Sequence, residues 1–115
     1  MSRLALLLST IVAATLATQA SAECTKPQAV DVPDGKTASL DQMLEAQSAV
    51  RGYLADMEEF LACVNDEIEA QPEETPQEVT TALIDRHNAA VTEMESVAAR
   101  FNEQRVAYQQ ANASE

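Results

Sequence analysis

The sequence predicts an all-α fold: an antiparallel, coiled-coil-like two-helix hairpin. An extended N-terminal arm is expected to pack along helix 1, tethered to it by a disulfide. Three observations carry this prediction. Two long segments repeat apolar residues in alternating steps of three and four. A short proline-flanked connector separates them, and the two cysteines stand where a folded-back arm would meet the first helix.

Residues 1–22 read as a cleaved secretory signal peptide. Arg3 supplies the positive region, Leu4 to Leu16 the apolar core, and Ala20-Ser21-Ala22 the small-residue cleavage site. The apolar core is well short of the ~20 residues a spanning helix needs, so no transmembrane anchor is expected after cleavage. Glu23 is large and charged where a lipidation signal requires a small residue before Cys24, which argues against a lipoprotein. The expected localisation is periplasmic or secreted.

Without Arg3, six basic residues face nineteen acidic ones, a net charge of −13. Such a chain does not suit a phosphate backbone, so nucleic-acid binding is disfavoured, as is an anionic membrane surface. With two Phe, two Tyr and no Trp, one small domain is expected.

Residues 23–37 form the arm. Pro27, Pro33 and the Asp34-Gly35 turn signal oppose a helix. Thirteen extended steps from Cys24 to Thr37 span about 40 Å. Twenty-five helical steps from Ala38 to Cys63 span about 38 Å, which brings the two cysteines together if the arm doubles back. Two free thiols or an intermolecular bridge are the competing arrangements. Neither cysteine belongs to a Cys-x-x-Cys, which disfavours a redox motif.

Helix 1 is expected over residues 38–71, opened by a Ser39/Gln42 capping box, with Thr37 as the alternative cap. Its seam reads Leu40, Met43, Gln47, Val50, Leu54, Met57, Leu61, Val64 and Ile68. A second stripe, Ala49, Tyr53, Phe60 and Cys63, is expected to receive the arm, with Ala49 and Gly52 leaving room for a close backbone. Residues 72–75 connect. Helix 2 is expected over 76–110, with Thr75 and Glu78 as its capping box and Pro76 at the first position. Its seam runs through Thr80, Leu83, His87, Ala90, Met94, Val97, Phe101, Gln104 and Tyr108, and residues 111–115 are a frayed tail. The connector favours a register that pairs Leu61 with Leu83, Met57 with His87 and Met43 with Phe101. A shifted register would stack Gln47 on Gln104.

Ile84, Val91 and Ala98 flank the helix 2 seam and form a candidate partner surface. Dimerisation into a four-helix bundle or docking on another protein would cover it, and so would the arm or the neighbouring helix.

Catalytic residues are not expected, nor is a metal site or cofactor. His87 has Leu83, Ile84, Ala90 and Val91 one turn away, none of them a ligand, and reads as a polar seam residue. The acidic clusters read as solvated faces. Neither a phosphate loop nor a nucleophile with a neighbouring base occurs.

The stretch Pro33-Asp34-Gly35-Lys36-Thr37-Ala38-Ser39 leads into Met43, Ala46, Val50 and Tyr53, then Phe60-Leu61-Ala62-Cys63. It resembles an uncharacterised family of small exported proteobacterial-type proteins that share a Pro-Asp-Gly turn and a long cysteine-containing helix. The resemblance implies bacterial export and supplies no catalytic residue. The expected function is a non-catalytic interaction or assembly module that self-associates or binds an envelope protein. The alternative is a holdase-like periplasmic chaperone clamping unfolded clients. That alternative is weakened because such clamps often steer acidic clients with basic surface.

Overall fold

The computed structural model describes residues 24–113, so the expected signal peptide and the last two residues of the tail lie outside the described residues. Two helices, α1 (Leu40–Glu69) and α2 (Gln77–Ala111), pack as an antiparallel hairpin. Among the described residues, no helix is long and apolar enough to cross a membrane.

The chain before α1 forms neither helix nor strand and turns at Asp34–Thr37. There the Asp34 carbonyl accepts from Thr37 N and Ala38 N, at 3.2 and 2.9 Å, and the Asp34 carboxylate accepts from Lys36 N at 3.0 Å. Helix α1 then opens on the expected capping box: Ser39 Oγ accepts from Gln42 N at 3.2 Å, and Gln42 Oε1 accepts from Ser39 N at 2.8 Å. These bonds satisfy two donors that the first turn cannot pair internally.

The expected capping box of α2 does not form. Pro76, at φ −56° and ψ 137°, is the N-cap, and no side chain caps the helix. Thr75 instead turns the connector, donating from its backbone N to the Pro72 carbonyl at 3.0 Å. The Thr-Pro-Gln-Glu order therefore shifts the helix start by one residue. Thr75 is left one position too early to reach the free amides.

The core differs from the expected seam by a rotation. The buried residues of α1 are Met43, Ala46, Val50, Tyr53, Met57, Phe60 and Val64, an unbroken three-four heptad series. Met43, Val50, Met57 and Val64 belong to the expected seam, but Ala46, Tyr53 and Phe60 replace Gln47, Leu54 and Leu61 as its other half. The stripe is thus turned by about 50°. The cause is a third partner. Cys24, Val30 and Val32 of the arm pack on the same core as α2, so the driest line on α1 is where helix, helix and arm meet. Leu40, expected at the head of the seam, is 56% exposed. On α2, Ala90 and Val97 are fully buried, and Leu83, His87, Met94 and Phe101 are half-buried around them.

The arm reaches both helices. It lies antiparallel to α1 and parallel to α2: Cys24 is bridged to Cys63, Lys26 pairs with Glu93, and Gly35 N donates to Gln104 Oε1 at 2.8 Å. Gln104 is thereby engaged by the arm.

Gly35 lies in the expected turn and also takes the close-packing role expected of Gly52. Gly52 is exposed, with open space where a Cβ would stand, so it makes no room for the arm. Ala49 borders a hollow beside Asp31, Val32 and Pro33, but it is exposed. Gly35 is the close-packed position. A Cβ there would lie 1.9 Å from the Gln104 carbonyl oxygen. Mid-helix glycine costs backbone entropy, so Gly52→Ala is expected to stabilise the fold by about 0.5–1 kcal/mol, read as a higher denaturation midpoint.

Candidate functional site

The clasp end of the hairpin gathers the densest chemistry. Cys24 and Cys63 are disulfide-bonded with Cα atoms 5.6 Å apart, joining the arm to the last third of α1. Glu67 lies one turn beyond Cys63, and its carboxylate comes within 2.9 Å of Cys24 Sγ. The bridged sulfur carries no proton, so this is a contact and not a hydrogen bond. The Arg86 guanidinium stands 5.3 Å over the Phe60 ring. It donates to Glu67 Oε2 and to the Cys24 carbonyl, each at 3.4 Å. A hollow of about 740 Å³ lies beside these groups, bordered also by Lys26 and Gln71.

The sulfurs and the Glu67 carboxylate lie within 4.8 Å of one another. With the two sulfurs bonded to each other, neither is the thiolate a metal would need. Arg86 and Glu67 satisfy one another across the helices. This end is a fastening of three chain segments.

Further along, Tyr53 is 3% exposed and donates its hydroxyl to Glu93 Oε1 at 3.1 Å, while Lys26 pairs with the other carboxylate oxygen. Arm, α1 and α2 are thus tied through one carboxylate. The Lys26 ammonium holds the Glu93 carboxyl below its ordinary value; burial opposes that effect and the Tyr53 hydroxyl adds to it. Glu93 therefore contributes stability above its ordinary range, which is lost as pH falls through its lowered folded value. Burial, reinforced by Glu93, pushes Tyr53 up to about 12. Its folded value lies above the unfolded 10, so its contribution is full below pH 10 and is lost as pH rises towards 12. Tyr53→Phe is expected to cost about 1 kcal/mol at neutral pH. It should also flatten the decline in stability between pH 10 and 12, measured by denaturant titration across that range.

The two grooves of the hairpin differ. On one side the arm fills the groove: its markers are Cys63, with Asp56 and Ala49 at seven-residue intervals on α1, and Arg86 and Glu93 on α2. Residues seven apart share a helical face. The opposite groove is edged by Leu54, Leu61 and Ile68 on α1 and by His87, Met94 and Phe101 on α2, all half-buried. Outside that edge stand Leu44, Arg51 and Glu58 on α1, and Ile84, Val91, Ala98 and Arg105 on α2. Near one end Leu40, Leu44 and Gln47 meet Phe101, Arg105 and Tyr108 around a hollow of about 190 Å³.

The expected partner surface falls on this uncovered side. Ile84 is 43% exposed, while Val91 and Ala98 are half-buried. Leu40 and Leu44, at 56% and 52% exposed, extend it on α1. Sequence reasoning placed Leu40 in the seam and did not single out Leu44. The signal for Leu44 is its position one heptad before Arg51, which becomes readable only once the stripe's true centre is known.

The chain matches no family model, no curated protein and no solved structure.

Proposed function

We propose that this protein is an exported, non-catalytic interaction module that uses the uncovered groove of its hairpin as its binding surface. The observation that carries the reading is the asymmetry of the two grooves. The arm and disulfide seal one, and the other keeps Leu40 and Leu44 exposed at the start of α1 and Ile84 exposed on α2. Leaving Leu40, Leu44 and Ile84 in water forgoes burial worth about 25 cal/mol per Å², which a partner would recover. A bridge between Cys24 and Cys63 suits an oxidising compartment, and the signal-like residues 1–22 agree with export.

A photo-crosslinking residue at Val91 tests this in cells that produce the protein. Val91 lies on the uncovered face, and Ala62, exposed on the outer side of α1, is the control position. Protein adducts are expected from Val91 and not from Ala62. No adduct from Val91, or equal labelling from both, contradicts the reading.

A further inference from the structure

We infer that the partner of the uncovered face is a second copy of the same chain, packed antiparallel about a two-fold axis to give a four-helix bundle with both arms outside. This rests on the interaction-module reading and adds the occupant and its geometry. The face has the area of a stable interface. A 30-residue helix is about 45 Å long, and two helices at 8–10 Å spacing present a face of about 800 Å². Two such faces bury about 1,600 Å² in total, the size of a standard stable interface.

The middle of the face is complementary to itself. Tyr53 meets Glu93, which sets the middle of α1 level with residues near 91–93 of α2. About that level the central outward residues are arranged in opposed pairs, and farther out Leu44 is set against Asn65 and Gln77 against Arg105. On α1, Arg51 and Glu58 stand at equal distances on either side of Leu54 and Ala55. Both are exposed, and neither is in an ion pair among the described residues. On α2, bulky Ile84 and small Ala98 each stand seven residues from Val91.

A two-fold axis across the face at this level lays each helix antiparallel on its own copy. Arg51 then meets the Glu58 position of the second copy, and Glu58 meets Arg51. Ile84 packs over Ala98, and Val91 packs on Val91. Self-complementarity of this kind is what an isologous interface requires.

Charge favours the same pairing. The chain carries nineteen acidic residues, yet Glu58 is the one acid at the outward positions of this face, beside Arg51 and Arg105. Two copies meeting here bring opposite charges together and keep most of their like charge apart.

Light scattering over a concentration series of the oxidised protein tests this, using Arg51→Glu, Glu58→Arg and the two combined. Both positions are exposed, and thermal melts of dilute samples check that each variant keeps the fold. The parent is expected to show twice the chain mass. Each single reversal sets two like-charge pairs against one another and is expected to weaken association about tenfold or more. The combined variant restores the pairs with their signs exchanged and is expected to return to within about threefold of the parent.

A single-chain mass throughout overturns the inference, and so does a dimer that ignores the single reversals or is not rescued by the combination. If the Val91 probe captures a different protein while the chain stays single, the second-copy inference fails and the interaction module stands. If the probe captures nothing, both fail.

Discussion

Reducing the Cys24–Cys63 bridge is expected to lower the stability of the fold by about 4 kcal/mol. The bridge closes a loop with a sequence separation of 39, and the loop-entropy model gives that magnitude for the unfolded state alone. For a domain of this size the loss corresponds to a fall of roughly 15–30 °C in melting temperature. Packing sets the same direction. The bridge holds the arm where Cys24, Val30 and Val32 meet the core, so its loss loosens that packing. Lys26–Glu93 and Gly35–Gln104 still bind the arm, so helical content should survive at low temperature. The check is a thermal melt of the parent with and without reductant, beside Cys24→Ser/Cys63→Ser. Coincident melts would show that the arm is no part of the stabilising core.

Gly35→Ala is expected to destabilise the fold by roughly 2–4 kcal/mol. A methyl group at this position meets the Gln104 carbonyl oxygen at 1.9 Å and the Tyr108 amide nitrogen at 2.8 Å. Both are backbone atoms of a long helix and cannot swing aside as a side-chain tip can. The turn must therefore lift away from α2. That movement carries an overpacking cost of about 1–3 kcal/mol, together with about 1 kcal/mol for the bond from Gly35 N to Gln104. The cost is steric and not conformational, because Gly35 does not adopt a positive φ. Equilibrium denaturation of Gly35→Ala beside Gly52→Ala should thus give shifts of opposite sign. Equal, small shifts would place the turn away from α2.

These two glycines show where sequence reasoning reaches and where it stops. The hairpin was legible because each helix repeats its apolar residues over many heptads and the connector holds two prolines. The bridge was legible because an extended arm and a helix of matched reach bring Cys24 to Cys63. The line of deepest burial on α1 was not. A seam read from one helix assumes one partner, and α1 has two, so the centre moved from Leu54 and Leu61 towards Tyr53 and Phe60.

The glycine roles depended on that same three-way contact. Nothing in the local sequence says which of Gly35 and Gly52 faces another backbone. Thr75 had the right spacing from Glu78 for a cap, but helix α2 starts one residue later than that pattern requires. The Tyr53–Glu93–Lys26 tie joins three segments and has no signature within any one of them.

On the functional side, Ile84, Val91 and Ala98 were readable as surplus apolar surface from their heptad spacing alone. Their proposed pairing with a second copy was not readable, because it needs the level of α1 against α2. Tyr53 and Glu93 supply that level.

If the arm closes one groove and a second copy closes the other, two chains touch each other across the second groove alone. Isotope-filtered NOE spectroscopy on a mixture of labelled and unlabelled oxidised chains reads those contacts. Cross-copy contacts are expected from the methyl groups of Leu54, Val91 and Ile84, the last to Ala98, and only within-copy contacts from Val30 and Val32. Cross-copy contacts at Val30 and Val32, or none at Leu54 and Val91 at any concentration, would contradict this arrangement.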